Sequence, residues 1–252
     1  METIKNASAL LQLRIEEQLA VVKITGNVYE LITNLDESDN FIGILTEINQ
    51  SSKLKAMLLL NDNEVLSEVP YNAFISSILE PDSYDQPSPV IKNQRQLFLM
   101  NQVLNRLIKR IIDFKKLFVV GLRGEVVSPF CGSSMAADFR FGSRKFSFLM
   151  THQKYGLHPA GALPYFLTKF LHHSKAMELL LRETPIMAAE ALQLGLVNQI
   201  LEEHQFEEAC IEQTIKFLSV PACTLHFSKR LLNFTRKDLS SYLDHELELL
   251  NL

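Results

Sequence analysis

SKAMELLLRETPIMAAEALQLGLVNQIL, residues Ser174 to Leu201, packs two short helices and an extended exit into one run. Ala176, Met177, Leu179, Leu180 and Leu181 have the apolar spacing of a helix. Thr184-Pro185 ends it, because proline lacks an N–H and pushes the preceding residue out of the helical region. Ala188 to Leu194 restores helical spacing, and the small Ala188, Ala189 and Ala191 allow close packing. Gly195 stands where a helix C-cap requires φ > 0, and Leu196, Val197, Ile200 and Leu201 read as a short strand. Core packing is a sufficient reason for each of these residues.

Working outward, Leu10 to Ile15 and Leu19 to Ile24 are partly alternating apolar runs around Glu16-Glu17-Gln18, a hairpin pattern. Asp36 or Ser38 can cap a helix running to about Asn49, with Phe41, Leu45 and Ile48 on one side. Ala56 to Leu60 reads as a buried strand, and Pro81 to Pro89 as an exposed loop. A long helix is expected from about Asn93 to Phe114, a strand at Leu117 to Gly121, a small-residue helix over Cys131 to Ala137 and extended chain from Phe139 to Phe148. After about Gln205 the pattern is nearly all helical. Strands alternating with helices and closed by a helical tail specify an α/β fold.

The 252 residues exceed the ~100–200 usual for one domain, yet no linker divides them. Residues 1–204 are therefore read as one core and residues 205–252 as a helical C-terminal region. With 47% hydrophobic and 21% charged residues the composition is that of an ordinary globular protein. A net charge of −4 argues against nucleic acid or an anionic membrane as the main partner. No apolar run approaches the ~18–20 residues that span a bilayer, and the first residues lack a signal-peptide layout. Cys131, Cys210 and Cys223 form no CxxC and cannot all pair, which points to a reducing, cytoplasmic setting. No spacing of His, Cys or carboxylates suggests a metal site.

The run from Ala176 to Val197 resembles the pattern A-x-E-L-L-L-T-G-x-x-I-x-A-x-E-A-L-x-x-G-L-V of the crotonase superfamily, the enoyl-CoA hydratases and isomerases. Lys55 to Leu60 is similar to that family's K-A-I-V-L-T strand, Gly124 to Asp138 keeps the interval of G-Y-A-L-G-G-G-C-E-L-A-x-x-C-D, and Gly156 with Pro159 matches L-G-x-x-P-G-A-G-G. The resemblance covers roughly Leu19 to Asn233, most strongly Leu117 to Leu201. It implies a crotonase-like ββα spiral with a helical C-terminal region that assembles subunits, as a homotrimer or a dimer of trimers. Residues Gln205 to Leu252 are expected to supply much of the contact, helped by the amphipathic tail Leu239, Leu243, Leu247 and Leu250.

The same resemblance places the family's chemistry on unsuitable residues. Two backbone N–H donors hold the thioester oxygen as charge develops there, and losing one costs ~10²–10³ in rate in other enzymes. The donor positions fall at Pro70 and Pro129, and proline has no N–H. Of the two carboxylates that move protons across the alkene, one position is Gly132 and the other His152. Glycine cannot do acid–base work, whereas an imidazole titrates near neutrality. His152 and Tyr155 are thus the candidate catalytic residues, with Tyr71, Glu125 and His158 as neighbours that could rebuild a site. Cys131 matches a packing position.

The ligand side is also altered. Relatives carry a basic residue with R-P-x-x-x-N-A-L where this chain has Thr25 to Leu31, with neither a basic residue nor a proline. Lys229 resembles the lysine of the family's T-K-x-x-L-N and is the candidate ligand-binding cation, the alternative being an ordinary surface lysine. Lys154 to Pro159 is similar to the K-Y-G-F-T-P of crotonase-like decarboxylases that build polyketide β-branches, although their helix histidine is Leu231 here. Two readings follow. One is a protein that acts on or binds an acyl thioester, on CoA or an acyl-carrier protein, with weak or absent hydratase activity and no other cofactor. The alternative is a non-catalytic homologue that serves as a structural or partner-binding protein, or a crotonase-like decarboxylase of polyketide β-branching.

Overall fold

The computed structural model describes residues 8–80 and 89–251. Strands β1 (Leu11–Glu16) and β2 (Leu19–Ile24) form the expected hairpin, Leu11 opposite Ile24 and Glu16 opposite Leu19, with Glu17 left-handed at φ 53° in the turn. Helices α1 (Val28–Thr33) and α2 (Leu35–Gln50) lead to β3 (Ala56–Asn61), α3 (Glu68–Ile78) and α4 (Gln94–Ile112). Next come β4 (Leu117–Leu122), β5 (Glu125–Val127), α5 (Ser128–Ser134), β6 (Phe139–Ser143) and β7 (Ser147–Leu149). Helices α6 (Leu163–Phe170) and α7 (His173–Leu180), strand β8 (Ile186–Met187), helix α8 (Ala188–Gln193) and strand β9 (Gln199–Leu201) follow. Three more helices, α9 (Phe206–Phe217), α10 (Ala222–Asn233) and α11 (Leu239–Glu248), come after them.

The main sheet has the order β1-β2-β3-β4-β6-β9, parallel from β2 onward, and β5-β7-β8 form a smaller sheet. Parallel strands are covered on both faces, so β4 is buried along its whole length. One face packs against α1, α2 and α4 through residues such as Leu31, Ile48 and Ile108. The other receives Phe206 and Cys210 of α9 against Leu58, Leu60 and Val119. That approach requires Gly121, where a Cβ would lie 2.6 Å from Leu60 Cδ2 and 2.8 Å from Cys210 Sγ.

Some expectations need correction. Helix α2 starts at Leu35 because Asn34, rather than Asp36 or Ser38, caps it, accepting the Asp36 N–H at 3.0 Å. Helix α5 starts at Ser128 rather than Cys131, since Pro129 suits a first helical turn. Helix α1 was not expected at all. Gly195 is left-handed at φ 70°, as its C-cap position requires. The loop expected at Pro81 to Pro89 lies, apart from Pro89, outside the described residues. The leucine stripe of α11 is not free for a subunit contact, because Leu239, Leu243 and Leu250 are buried in the chain's own core. Asn105 of α4 also donates to the Leu243 carbonyl at 3.1 Å.

Lys229 is buried at 7% exposure, which corrects the surface reading. Its ammonium donates to Asp138 Oδ2 at 2.8 Å and to the Lys116 carbonyl at 3.1 Å, tying α10 to the starts of β4 and β6. Burial lowers its pKa, and Asp138 opposes that shift. Removing one partner of a buried pair strands the other charge and typically costs about 3–5 kcal/mol. Asp138→Ala is therefore expected to lower the unfolding free energy by roughly that amount, measured by urea denaturation. A change below about 1 kcal/mol would place this pair with exposed ones.

Candidate functional site

Both prolines sit in first helical turns, where backbone N–H groups have no intrahelical acceptor and can face a ligand. Pro70 is the third residue of α3 and Pro129 the second of α5. Each removes one such donor. They line different cavities. Pro70 borders an open cleft of about 370 Å³, and Pro129 a closed space of about 10 Å³ shared with Tyr71, Ser128, His152 and His158. The smaller space is about the size of one water probe and has no room for an acyl group.

Gly132 is not merely without a carboxyl group. A Cβ there would lie 2.3 Å from the Gly161 carbonyl oxygen and 2.8 Å from the Leu163 nitrogen. Gly161, left-handed at φ +73°, has a Cβ position 2.2 Å from the Pro129 oxygen. The backbones of α5 and the 159–162 loop thus meet through two glycines, and no longer side chain fits at 132. On its far side the loop is held by Glu246 of α11, which is 2% exposed and accepts the Gly161 and Ala162 N–H groups at 3.0 Å. Burial raises the Glu246 carboxyl to about 7, opposed by those two hydrogen bonds.

His152 is buried, and its Nδ1 has no hydrogen-bond partner among the described residues. Burial, then the neighbouring His158, hold its imidazole down to about 4, so it is neutral at physiological pH. His158 is also lowered by burial, and its Nε2 is likewise without a partner among the described residues. Tyr155 does not join His152 in the small cavity. Its hydroxyl donates to Asn72 Oδ1 at 2.6 Å, and its ring packs edge-on against Tyr71 at 5.8 Å. Tyr71 continues into Tyr29, which stacks on Phe74 at 4.6 Å and meets Phe130 at 5.6 Å. Aromatic rings fill the ground between α1, α3 and α5.

The surrounding charge is unfavourable for a polyanionic ligand. The cleft beside Pro70 carries Asp62 and Glu64, and a second cleft of about 580 Å³ is lined by Glu68, Glu125 and Glu183 with Lys154. Lys154 is paired with Glu68. The sequence points to Pro70, Pro129, Gly132 and His152, of which Pro129 and His152 share a cavity and Pro70 does not, and it does not point to Gly161 or Glu246. Gly161 follows Pro159-Ala160, and nothing in the sequence links it to position 246.

Comparison with known proteins gives one consistent result. A profile described as enoyl-CoA hydratase/isomerase matches residues 88–251. A short-chain-enoyl-CoA hydratase of Clostridium acetobutylicum is 24% identical over 218 residues, 86% of this chain and 78% of that protein. A probable peroxisomal enoyl-CoA hydratase 1 of Arabidopsis thaliana is 29% identical over 89 residues, but the alignment spans 34% of its length and 35% of this chain. The crystal structure of an enoyl-CoA hydratase from Mycobacterium avium subsp. paratuberculosis K-10 superposes with a TM-score of 0.75 at 19% identity, covering 96% of this chain and 92% of that one. At that identity the likeness is one of fold.

Two buried groups give opposite pH dependences. His152 titrates near 4 when folded against 6.5 in its ordinary state, so its contribution is complete above pH 6.5 and lost as the pH falls toward 4. Glu246 titrates near 7 against 4.5, so its contribution is complete below pH 4.5 and lost as the pH rises through 7. Urea midpoints measured from pH 4 to 8 should show the acid limb flattened in His152→Gln and the neutral limb flattened in Glu246→Gln. Unchanged slopes in both variants would contradict these assignments.

Proposed function

The chain belongs to the enoyl-CoA hydratase/isomerase family, and we propose that it is a member without hydratase chemistry that uses the family's fold as a self-assembling scaffold. The start of α5 carries this reading, since Pro129 has no N–H and the Gly161 backbone occupies the space that an acid at Gly132 would need. A hydratase must stabilise the oxyanion and move two protons, and position 152 offers only a buried imidazole that is neutral down to about 4.

Self-assembly is supported by α10 and the residues after it. Phe227, Leu231, Leu232 and Phe234 are 59%, 74%, 70% and 70% exposed, an apolar face too large for a helix end in water. The reading commits to a second copy of this chain, arranged as a homotrimer or a dimer of trimers, with α10 as the contact in place of α11. No helix among the described residues is long and apolar enough to cross a membrane. The unpaired Cys131, Cys210 and Cys223 support a reducing, cytoplasmic setting.

A second reading, an acyl thioester bound without turnover, is favoured by one observation. A mainly apolar cavity of about 80 Å³ lies beneath α5, lined by Val28, Leu31, Leu59, Leu104 and Phe130. Titration with butyryl-CoA in a calorimeter separates the readings, with no saturable heat expected for the scaffold.

Hydration of crotonyl-CoA, followed by loss of the enoyl-thioester absorbance, should proceed at the protein-free rate. Turnover in the usual enzyme range of ~1–10³ s⁻¹ would sink the proposal. Light scattering after size exclusion should give a trimer or a multiple of it, and Leu231→Asp with Leu232→Asp should dissociate it. A monodisperse wild-type monomer at micromolar concentration would refute the assembly.

A further inference from the structure

The groove between α10 and the starts of β4 and β6 holds more positive charge than its own residues neutralise. It encloses about 440 Å³ and is lined by Asp138, Arg140, Lys229 and Arg236, with Phe170 and Leu225 among its apolar walls. Three cations less one carboxylate leave a surplus of two positive charges. Asp138 is already engaged, its Oδ2 accepting the Phe118 N–H and the Lys229 ammonium, each at 2.8 Å. Arg140 is 3% exposed, with Nε donating to the Leu196 carbonyl at 2.7 Å and Nη1 to the Ala137 carbonyl at 3.0 Å. Its Nη2 has no acceptor among the described residues. Arg236 is half-buried, stands over the Phe166 ring at 5.5 Å, and makes no hydrogen bond or ion pair among the described residues.

Burial, then the nearness of Arg236, lowers the Arg140 guanidinium to about 10, and burial lowers Arg236 as well. The fold therefore holds Arg236 near enough to Arg140 to disfavour its charge. Such a concavity focuses a positive field and draws a counter-anion.

We propose that this groove binds a phosphate monoester, with inorganic phosphate as its simplest ligand. A phosphate dianion matches the surplus of two charges, and its oxygens suit the unused donors of Arg140 and Arg236. The apolar walls would take the organic part of the ester. The groove lies where β4 and β6 begin, whereas Pro70 and Pro129 follow the C-terminal ends of β3 and β4, so the assignment is independent of the chemistry read at those prolines, while Leu232 of the proposed assembly face forms one of its walls.

The test is calorimetric titration of the full-length protein with inorganic phosphate and with phenyl phosphate, against sodium chloride at matched ionic strength. Saturable binding is expected for both, tighter for phenyl phosphate. Arg236→Gln should weaken each by roughly tenfold or more with an unchanged circular dichroism spectrum. If that variant loses its native spectrum, Arg236→Lys keeps the charge without the fork and should also bind several-fold more weakly. Heats no larger than those of chloride, or wild-type affinity in a folded Arg236 variant, would overturn the proposal. A groove covered by a second copy in solution would give no binding and would overturn it too.

Discussion

Gly132 and Gly161 touch backbone to backbone, and the neighbouring parts of the molecule are arranged around that contact. Each would drive a Cβ to within about 2.3 Å of the opposing carbonyl region, so only glycine permits the approach. It sets the position of α5, whose first turn carries Pro129, and of the loop that starts α6. The loop's free N–H groups are taken by Glu246, and α11, which carries that residue, is bound to α4 through Asn105 and Leu243. An acid at position 132 would have to separate all of these.

With that space closed, polarity is distributed unusually. The ground between α1, α3 and α5 is aromatic, and in the small space beside Pro129 burial disfavours the charged forms of His152 and His158. The clefts outside carry mainly carboxylates, and their cation, Lys154, is paired with Glu68. The buried positive charge lies at the other end of the parallel strands, in Arg140, Lys229 and Arg236. Desolvating a cation is costly, so three in one groove imply strong support from the surrounding fold.

Much of this architecture was legible in the sequence, because periodicity and punctuation report local structure. The hairpin, β3, α4, β4 and the helix pair ending at Gly195 all follow from apolar spacing and from the φ that Gly195 must adopt. What failed was information about partners. A leucine stripe shows that α11 has an apolar face, but not that α4 covers it while the apolar side of α10 stays exposed. Helix α1 was missed because six residues give too little periodicity, and its core residue Tyr29 is fixed by Tyr71, Phe74 and Phe130, distant in the chain. At the site, the missing N–H of Pro129 is legible without any structure, because it is a matter of covalent chemistry, whereas its place as a donor position comes from the family resemblance. The occlusion of Gly132 and the role of Glu246 depend on contacts between segments far apart in sequence.

The central proposal is that the N–H groups around Pro70 and Pro129 do not stabilise a thioester oxyanion. A β-ketoacyl thioester such as acetoacetyl-CoA tests it directly, because its enolate absorbs strongly in the ultraviolet and accumulates wherever donors converge on the oxygen. Titrating it with the protein at fixed pH should leave the enolate band at its protein-free intensity. A band that grows and saturates with protein concentration would contradict the account.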